Sequence, residues 1–286
     1  MGHGDALMSL GNAWREYHAR KDGRKIAIGD GRTVNPELLR LSYGLGSFLA
    51  SPQEALRSDV VWMIDYAGHR PYIDYKAMLK KCGSLGINIA KQMDLVKNLG
   101  HYIYVDSFRA VPAPIVLTPE EEEHAEHLKA ALGDFVVIEP YIKKGAPINK
   151  QWGVDRFEET ALRLQKDVPV YQISIPSMPT IADLPRLDGG SFRGTLAILK
   201  AASLYVGPEG GLHHGAAAMG TKATVIFGGF IAPKTTGYDF HDNLTGGAEY
   251  ACGRKYHLCP HCTSAMRNIT VDAAVESARR LLECTT

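Results

Sequence analysis

Four places in the sequence hold residue types that could do chemistry. The first is "VGPEGGLHHGAAAMG" (206–220), where a β-branched and aromatic run ends in two glycines, two adjacent histidines and a run of alanines. Read as a strand ending near Val206 and a helix opening near Leu212, it aims the free amides of Gly210, Gly211 and Leu212 out of a helix N-terminus. Unpaired amides and the helix dipole favour an anion such as a phosphate or diphosphate. Glu209 is too negative to help a phosphate and suits a sugar hydroxyl. His213 and His214 are phosphate donors or merely helix-start residues, and only one of two neighbours on a helix can face a given direction. The bland alternative for the whole stretch is a tight strand-to-helix turn with packing glycines.

The second place is "YIKKGAPINKQWGVDRFEETALRLQ" (141–165), which puts Lys143, Lys144 and Lys150 in a loop before a helix opening near Val154. Lysine is a flexible point charge suited to phosphate, though loop lysines are also ordinary solvated residues. The third is "MGHGDALMSLGNAW" at the start, where Asp5 is either a helix N-cap or a carboxylate placed to take a proton from an attacking hydroxyl. The fourth is "CGRKYHLCPHC" (252–262), with Cys252, Cys259 and Cys262 and with His257 and His261 between them. Its Cys-x-x-Cys pair is the usual knuckle of a thiolate metal site, with His257, His261 or the distant Cys284 as fourth ligand. Cysteine is equally a common small buried residue. A structural zinc or iron at Cys252, Cys259, Cys262 and His257 is the expectation carried forward.

These residues need elements to hold them. Short apolar runs rich in Val, Ile, Tyr or Phe occur at 25–31, 59–65, 113–119, 134–140, 169–176, 203–209 and 223–229, as buried parallel strands do. Helical patterns lie between them at 6–20, 87–98, 119–132, 154–165, 191–202 and 272–282. The third helix is the best punctuated: Thr118 as N-cap, Pro119 at its first position, four consecutive glutamates and Gly133 at its end. The alternation predicts an α/β protein with mainly parallel sheets. The prolines of "VPAPIVLTPEEEEH" place a boundary near 112–118, dividing two Rossmann-like domains, 1–115 and 116–286, that face one cleft. Sheets of this kind bind ligands at their carboxyl ends.

The bulk numbers limit the partners. The chain has 286 residues, 45% hydrophobic and 22% charged, long enough for two cores. With 32 basic and 31 acidic residues its formal charge is +1, so a nucleic-acid partner is not indicated and would need a local basic patch. No apolar run approaches a membrane span and no signal segment is apparent, which makes a cytoplasmic location the expectation. Five cysteines do not form a secreted disulfide framework.

In this order and at these separations, the first three places resemble glycosyltransferase family 9, the heptosyltransferase family. The small-x-Gly-Asp loop of that family is matched by "GHGDALMSLG", and its Lys-x-Trp loop by "NKQWGVDRF". Its Asp-x-Gly-x-x-His signature, followed by small residues and a Phe-Gly strand end, is matched by "EGGLHHGAAAMGTKATVIFGGFIAP". The resemblance covers about residues 1–20 and 115–285. It implies a GT-B fold and an inverting transfer from a nucleoside-diphosphate sugar, with an ADP-linked heptose as the donor the family favours, to a glycan, protein or small-molecule hydroxyl. It implies Asp5 as catalytic base, with Lys150, Glu209, Gly210, Gly211, Leu212, His214 and Lys144 at the donor, and no cofactor for catalysis. Two departures stand out: Glu209 replaces the family's Asp, and Asp5 is only the fifth residue, so the strand that should precede it is missing or supplied otherwise. A nucleotide-sugar epimerase and a non-catalytic nucleotide-sugar-binding protein are the alternative functions.

Overall fold

The computed structural model describes residues 2–64, 70–81, 100–143, 145–174 and 178–283. Its first element is helix α1 (His3–Arg20), followed by strand β1 (Ile26–Gly29), the short helix α2 (Pro36–Leu39), strand β2 (Val61–Ile64) and helix α3 (Tyr75–Lys81). β1 and β2 pair in parallel, Ile26 opposite Val61 and Gly29 opposite Ile64. The buried face of α1, with Ala6, Leu7, Leu10 and Ala13, closes over Ile26 and Ile28 together with Leu38, Leu41 and Phe48. That burial is what holds a helix carrying few strong local signals.

Helix α4 (Pro119–Leu132) begins where the sequence placed it. The Thr118 hydroxyl accepts from the Glu121 N–H, the Glu121 carboxylate accepts from the Thr118 N–H, and Gly133 closes the helix at φ 66°. Each partner satisfies an amide that the first turn leaves free. Then follow β3 (Val136–Ile138), α5 (Val154–Leu164), β4 (Val170–Ile173), β5 (Arg186–Leu187), α6 (Phe192–Ala201), β6 (Leu204–Pro208), α7 (Gly211–Met219), β7 (Ala223–Ile226), α8 (Pro233–Thr236) and β8 (Asp242–Leu244). Helices α9 (Pro260–Asn268) and α10 (Val271–Glu283) close the chain.

β3 to β8 form one six-stranded sheet in the order β5-β4-β3-β6-β7-β8, every pairing parallel. This is the 3-2-1-4-5-6 order of a doubly wound sheet, and its order reverses between β3 and β6, where such sheets leave a crevice. The strands Val136–Ile138 and Leu204–Pro208 are buried on both faces, which explains their unbroken apolar sequence. The α/β class with a mainly parallel sheet is therefore as expected. Among the described residues, no helix is long and apolar enough to cross a membrane.

Several expectations are corrected. Residues 113–119 form no strand: Pro112 and Pro114 remove ladder donors, and the segment instead runs as a strap whose Val116 carbonyl accepts from Arg193. β5 and β8, of two and three residues, lie at the sheet edges and were not anticipated. Neither was α9, which opens on Pro260 inside the cysteine loop. The helix expected at 87–98 lies outside the described residues. Among them, no strand precedes α1.

The strap also explains a helical glycine. A Cβ on Gly11 would stand 2.1 Å from the Val111 carbonyl oxygen, so α1 can approach the strap only without a side chain there. Gly11→Ala is therefore expected to lower stability by about 1–3 kcal/mol, although alanine is the better helix former by about 1 kcal/mol. Urea unfolding measures it, and an unchanged or raised midpoint would show that the strap can yield.

Candidate functional site

The two loops at the reversal of the sheet bring the separate sequence stretches together. Lys150 follows β3, at the end of a single 3-10 turn (Ile148–Lys150), and Glu209 follows β6 directly. Their side chains form a buried ion pair, with Lys150 15% and Glu209 5% exposed. Burial pushes the Glu209 carboxyl up, but the Lys150 ammonium and the His214 ring beside it more than offset this and hold it below the usual carboxylate range. Glu209 thus stands as a carboxylate in a place that would otherwise neutralise it. Its N–H is fixed to the Ile226 carbonyl at 3.0 Å.

Gly210 caps α7 in extended backbone, φ 176° and ψ −162°, and Gly211 and Leu212 open the helix, so its first amides lie beside Glu209. The two histidines divide as helical geometry requires. His214 lies 3.6 Å from Glu209 through Nε2 and 2.8 Å from the Tyr238 hydroxyl through Nδ1. His213 is fully buried among the rings of Phe227, Tyr238 and His241, and burial keeps it neutral by pushing its pKa well down. His214 therefore joins the site, and His213 belongs to the packing beneath it.

Asp5 reaches the same place from α1. The N-terminus of α1 lies against that of α7: a Cβ on Gly4 would stand 2.8 Å from the His214 ring and 3.2 Å from the Gly211 backbone. Asp5 is not the N-cap; Gly2 is, and Asp5 sits in the first turn. Its carboxylate accepts from the Tyr72 hydroxyl at 3.2 Å and pairs with Arg70 at 3.4 Å. A Cβ on Gly2 would stand 3.3 Å from Asp5 Oδ2 and 3.4 Å from Lys143 Nζ, which places that lysine beside the carboxylate. Lys144 lies outside the described residues.

Sequence reading missed Arg70, Tyr72, Tyr238 and Glu139. Only Glu139 carried a signal, being the first residue past an apolar strand, the position from which open α/β sheets build sites. It is half-buried, accepts from the Tyr205 hydroxyl at 2.6 Å, and loss of solvent pushes its carboxyl up to about 7 despite that bond and the nearby Lys150.

In the cysteine loop, the sulfurs of Cys252, Cys259 and Cys262 lie within 4.8 Å of one another, all buried. The Cys262 thiol bonds to Cys252 at 2.9 Å and holds its pKa below that of an ordinary thiol, and the Arg254 N–H also points to that sulfur at 3.4 Å. Three converging thiols with a backbone donor suit a soft cation such as zinc or iron. His257 is exposed and outside this group, while His261 stacks on Tyr250 at 4.0 Å, its ring nitrogens buried with no hydrogen-bond partner among the described residues.

The architecture is that of solved glycosyltransferases of the heptosyltransferase kind, so the resemblance read from sequence holds at the level of the fold. The E. coli ADP-heptose lipopolysaccharide heptosyltransferase II superposes with a TM-score of 0.54 at 15% identity, over 99% of this chain and 97% of that one. The iron-containing dodecameric glycosyltransferase TibC of enterotoxigenic E. coli does so with 0.57 at 13% identity, over 100% and 75%. E. coli heptosyltransferase WaaC, solved with ADP-2-deoxy-2-fluoro heptose, gives 0.50 at 12% identity, over 100% and 98%. No protein-family model matches the sequence, and a search of curated proteins finds no match.

Glu139 yields a pH prediction. Its folded pKa, about 7, lies above its ordinary 4.5, so the native state holds the extra proton between these values and loses stability as pH rises through them. Below that window the carboxyl is protonated in both states and costs nothing. Glu139→Gln keeps an acceptor for Tyr205, so it should flatten the profile between pH 4.5 and 7 and raise stability by a few kcal/mol above pH 7. Chemical unfolding of both proteins at pH 4.5, 6 and 8 decides it: parallel profiles would mean that Glu139 does not titrate there.

Proposed function

We propose that this chain is an inverting glycosyltransferase that moves a sugar from a nucleoside-diphosphate sugar to an acceptor hydroxyl, and that it belongs to the heptosyltransferase family. The observation that carries this reading is the meeting of Asp5, Lys150 and Glu209 around two helix N-termini at the reversal of the sheet. In this reading the donor diphosphate lies on the amides of Gly210, Gly211 and Leu212 and takes up part of the Lys150 charge that Glu209 holds in the free protein. Glu209 and His214 then face the donor sugar, with Glu209 accepting from a sugar hydroxyl.

Chemistry follows from these positions. The Asp5 carboxylate takes the proton of the acceptor hydroxyl as its oxygen bonds to the anomeric carbon, and the bond from that carbon to the diphosphate oxygen breaks. A single displacement inverts the anomeric centre. Charge growing on the departing diphosphate is met by Lys150 and the α7 amides, which need no reorganisation. Arg70 and Tyr72 hold Asp5 in place. The fold relatives solved with ADP-linked sugar make an ADP-linked heptose the first donor to test. The domain division 1–115 and 116–286 goes with this reading, the first part receiving the acceptor and the second the donor.

We further infer that Cys252, Cys259 and Cys262 hold a structural metal, iron as in TibC or zinc, with no part in the transfer.

A thermal-shift and calorimetric screen against ADP-, UDP-, GDP- and CDP-sugars tests the donor. One nucleotide class should stabilise the protein, and Lys150→Ala should weaken its binding about 10- to 100-fold. No response to any class removes the reading. Asp5→Ala should cut turnover about 10²- to 10⁴-fold while nucleotide binding persists. Retained turnover would take the base role from Asp5; turnover without any acceptor would point to an epimerase; binding with no turnover in the parent protein would leave a sugar-nucleotide binder. Elemental analysis should find one zinc or iron per chain, lost in Cys259→Ser, and metal-free native protein would refute the centre.

A further inference from the structure

We propose that Asn149 is a positioning residue that ties the donor lysine to the cysteine loop, so that the order of that loop sets the affinity for the donor diphosphate. The proposal rests on the assignment of Lys150 to that diphosphate.

Asn149 is 3% exposed and spends its side chain on one distant loop. Its amide donates to the Arg254 carbonyl at 2.7 Å and the His257 carbonyl at 2.9 Å, and its oxygen accepts from the Cys259 N–H at 3.0 Å. A side-chain amide offers two donors and one accepting oxygen, and here both kinds are engaged across 105 to 110 residues of sequence. The backbone of the turn it sits in gives little hold of its own. Ile148–Lys150 is one 3-10 turn, closed by Lys150 N–H to Pro147 at 3.0 Å and Gln151 N–H to Ile148 at 3.2 Å, and such short turns have poor bond geometry and no cooperative length. On its far side Trp152 donates to the Ile269 carbonyl at 2.8 Å. Asn149 is therefore the anchor on the side of the cysteine loop, one residue before the lysine paired with Glu209.

The loop is in turn fixed to the floor of the site. Cys252 and Gly253 donate to the Gly229 and Phe230 carbonyls at 2.8 and 3.1 Å, and the Phe230 ring lies 5.6 Å from the Lys150 ammonium. The residues that close the loop are the three converging cysteines. Their hold, by thiol contact or by a bound metal, thus reaches Lys150 from two sides: through Asn149 and through Phe230.

A double-mutant cycle separates positioning from plain structural support. Binding of ADP, UDP, GDP and CDP is measured by calorimetry on the full chain, its Asn149→Ala and Lys150→Ala variants, and the double variant. Asn149→Ala should weaken the preferred nucleotide about tenfold, yet change it less than about twofold once Lys150 is gone, because residues acting through one group are not additive. Alkylating the loop thiols should weaken binding in the parent and add little in Asn149→Ala. An equal penalty with and without Lys150, or no penalty, overturns the proposal. If the parent binds none of the four nucleotides, the donor assignment falls, and amide exchange decides the coupling alone. Faster exchange at 148–152 in both Asn149→Ala and the alkylated parent sustains it; unchanged exchange overturns it. Should the alanine variant not fold, Asn149→Asp, which keeps the acceptor for Cys259 and loses both donors, replaces it.

Discussion

The buried pair of Lys150 and Glu209 is the interaction on which the rest of the site depends. Two charges taken out of water are tolerated only where their partners are fixed in good geometry, and breaking one side leaves the other stranded. The fold meets this condition with rigid neighbours. Glu209 is the first residue past a fully buried strand, and Lys150 ends a turn held between Asn149 and Trp152. His214 and Tyr238 continue the polar chain inward, and the His213 ring lies 4.6 Å from that of His214 and 5.3 Å from that of His241. The result is a carboxylate and an ammonium already desolvated, beside a helix N-terminus that favours a further anion.

A second constraint is the close approach of backbones. Gly4 lets the start of α1 meet that of α7, and Gly11 lets α1 pass against the backbone at Val111. These contacts carry Asp5 to the amides of the other helix. Small residues are thus placed where two elements must touch. The alanines 216–218 continue this on α7, whose buried face meets Leu196 and Leu199 at Gly215. A larger side chain at these points would separate the proposed base from the proposed donor cradle.

The cysteine loop shows how a peripheral feature becomes part of such a site. It is far from Lys150 in sequence, and its outer surface exposes Tyr250, Tyr256 and Leu258. Its inner side nevertheless supplies three hydrogen-bond partners to one buried amide. Support of this kind is what precise placement of a long, flexible lysine requires, since the ammonium alone has many rotamers to choose from.

The sequence by itself determined what depends on neighbours in the chain. The Thr118 cap, the Gly-Gly turn into α7 and the buried strands at 136–138 and 204–208 follow from local amide satisfaction and apolar runs, so they are legible residue by residue. The run 113–119 has the same apolar look and is not a strand, because its prolines deny it a ladder and no neighbouring strand pairs with it. The two- and three-residue edge strands β5 and β8 are too short to carry a period. Lys150, Glu209 and Asp5 were legible as candidates by type and order, and it was the family resemblance, not any local signal, that joined them into one site. Arg70, Tyr72 and Asn149 carried no local mark, since a lone Arg, Tyr or Asn is ordinary in a loop. Only tertiary structure decided that Tyr72 would reach back 67 residues to Asp5 and that Asn149 would cross to the cysteine loop. The physical reason is that hydrogen bonds and ion pairs of this kind are set by which elements the hydrophobic core brings together, and that choice is not written in any one segment.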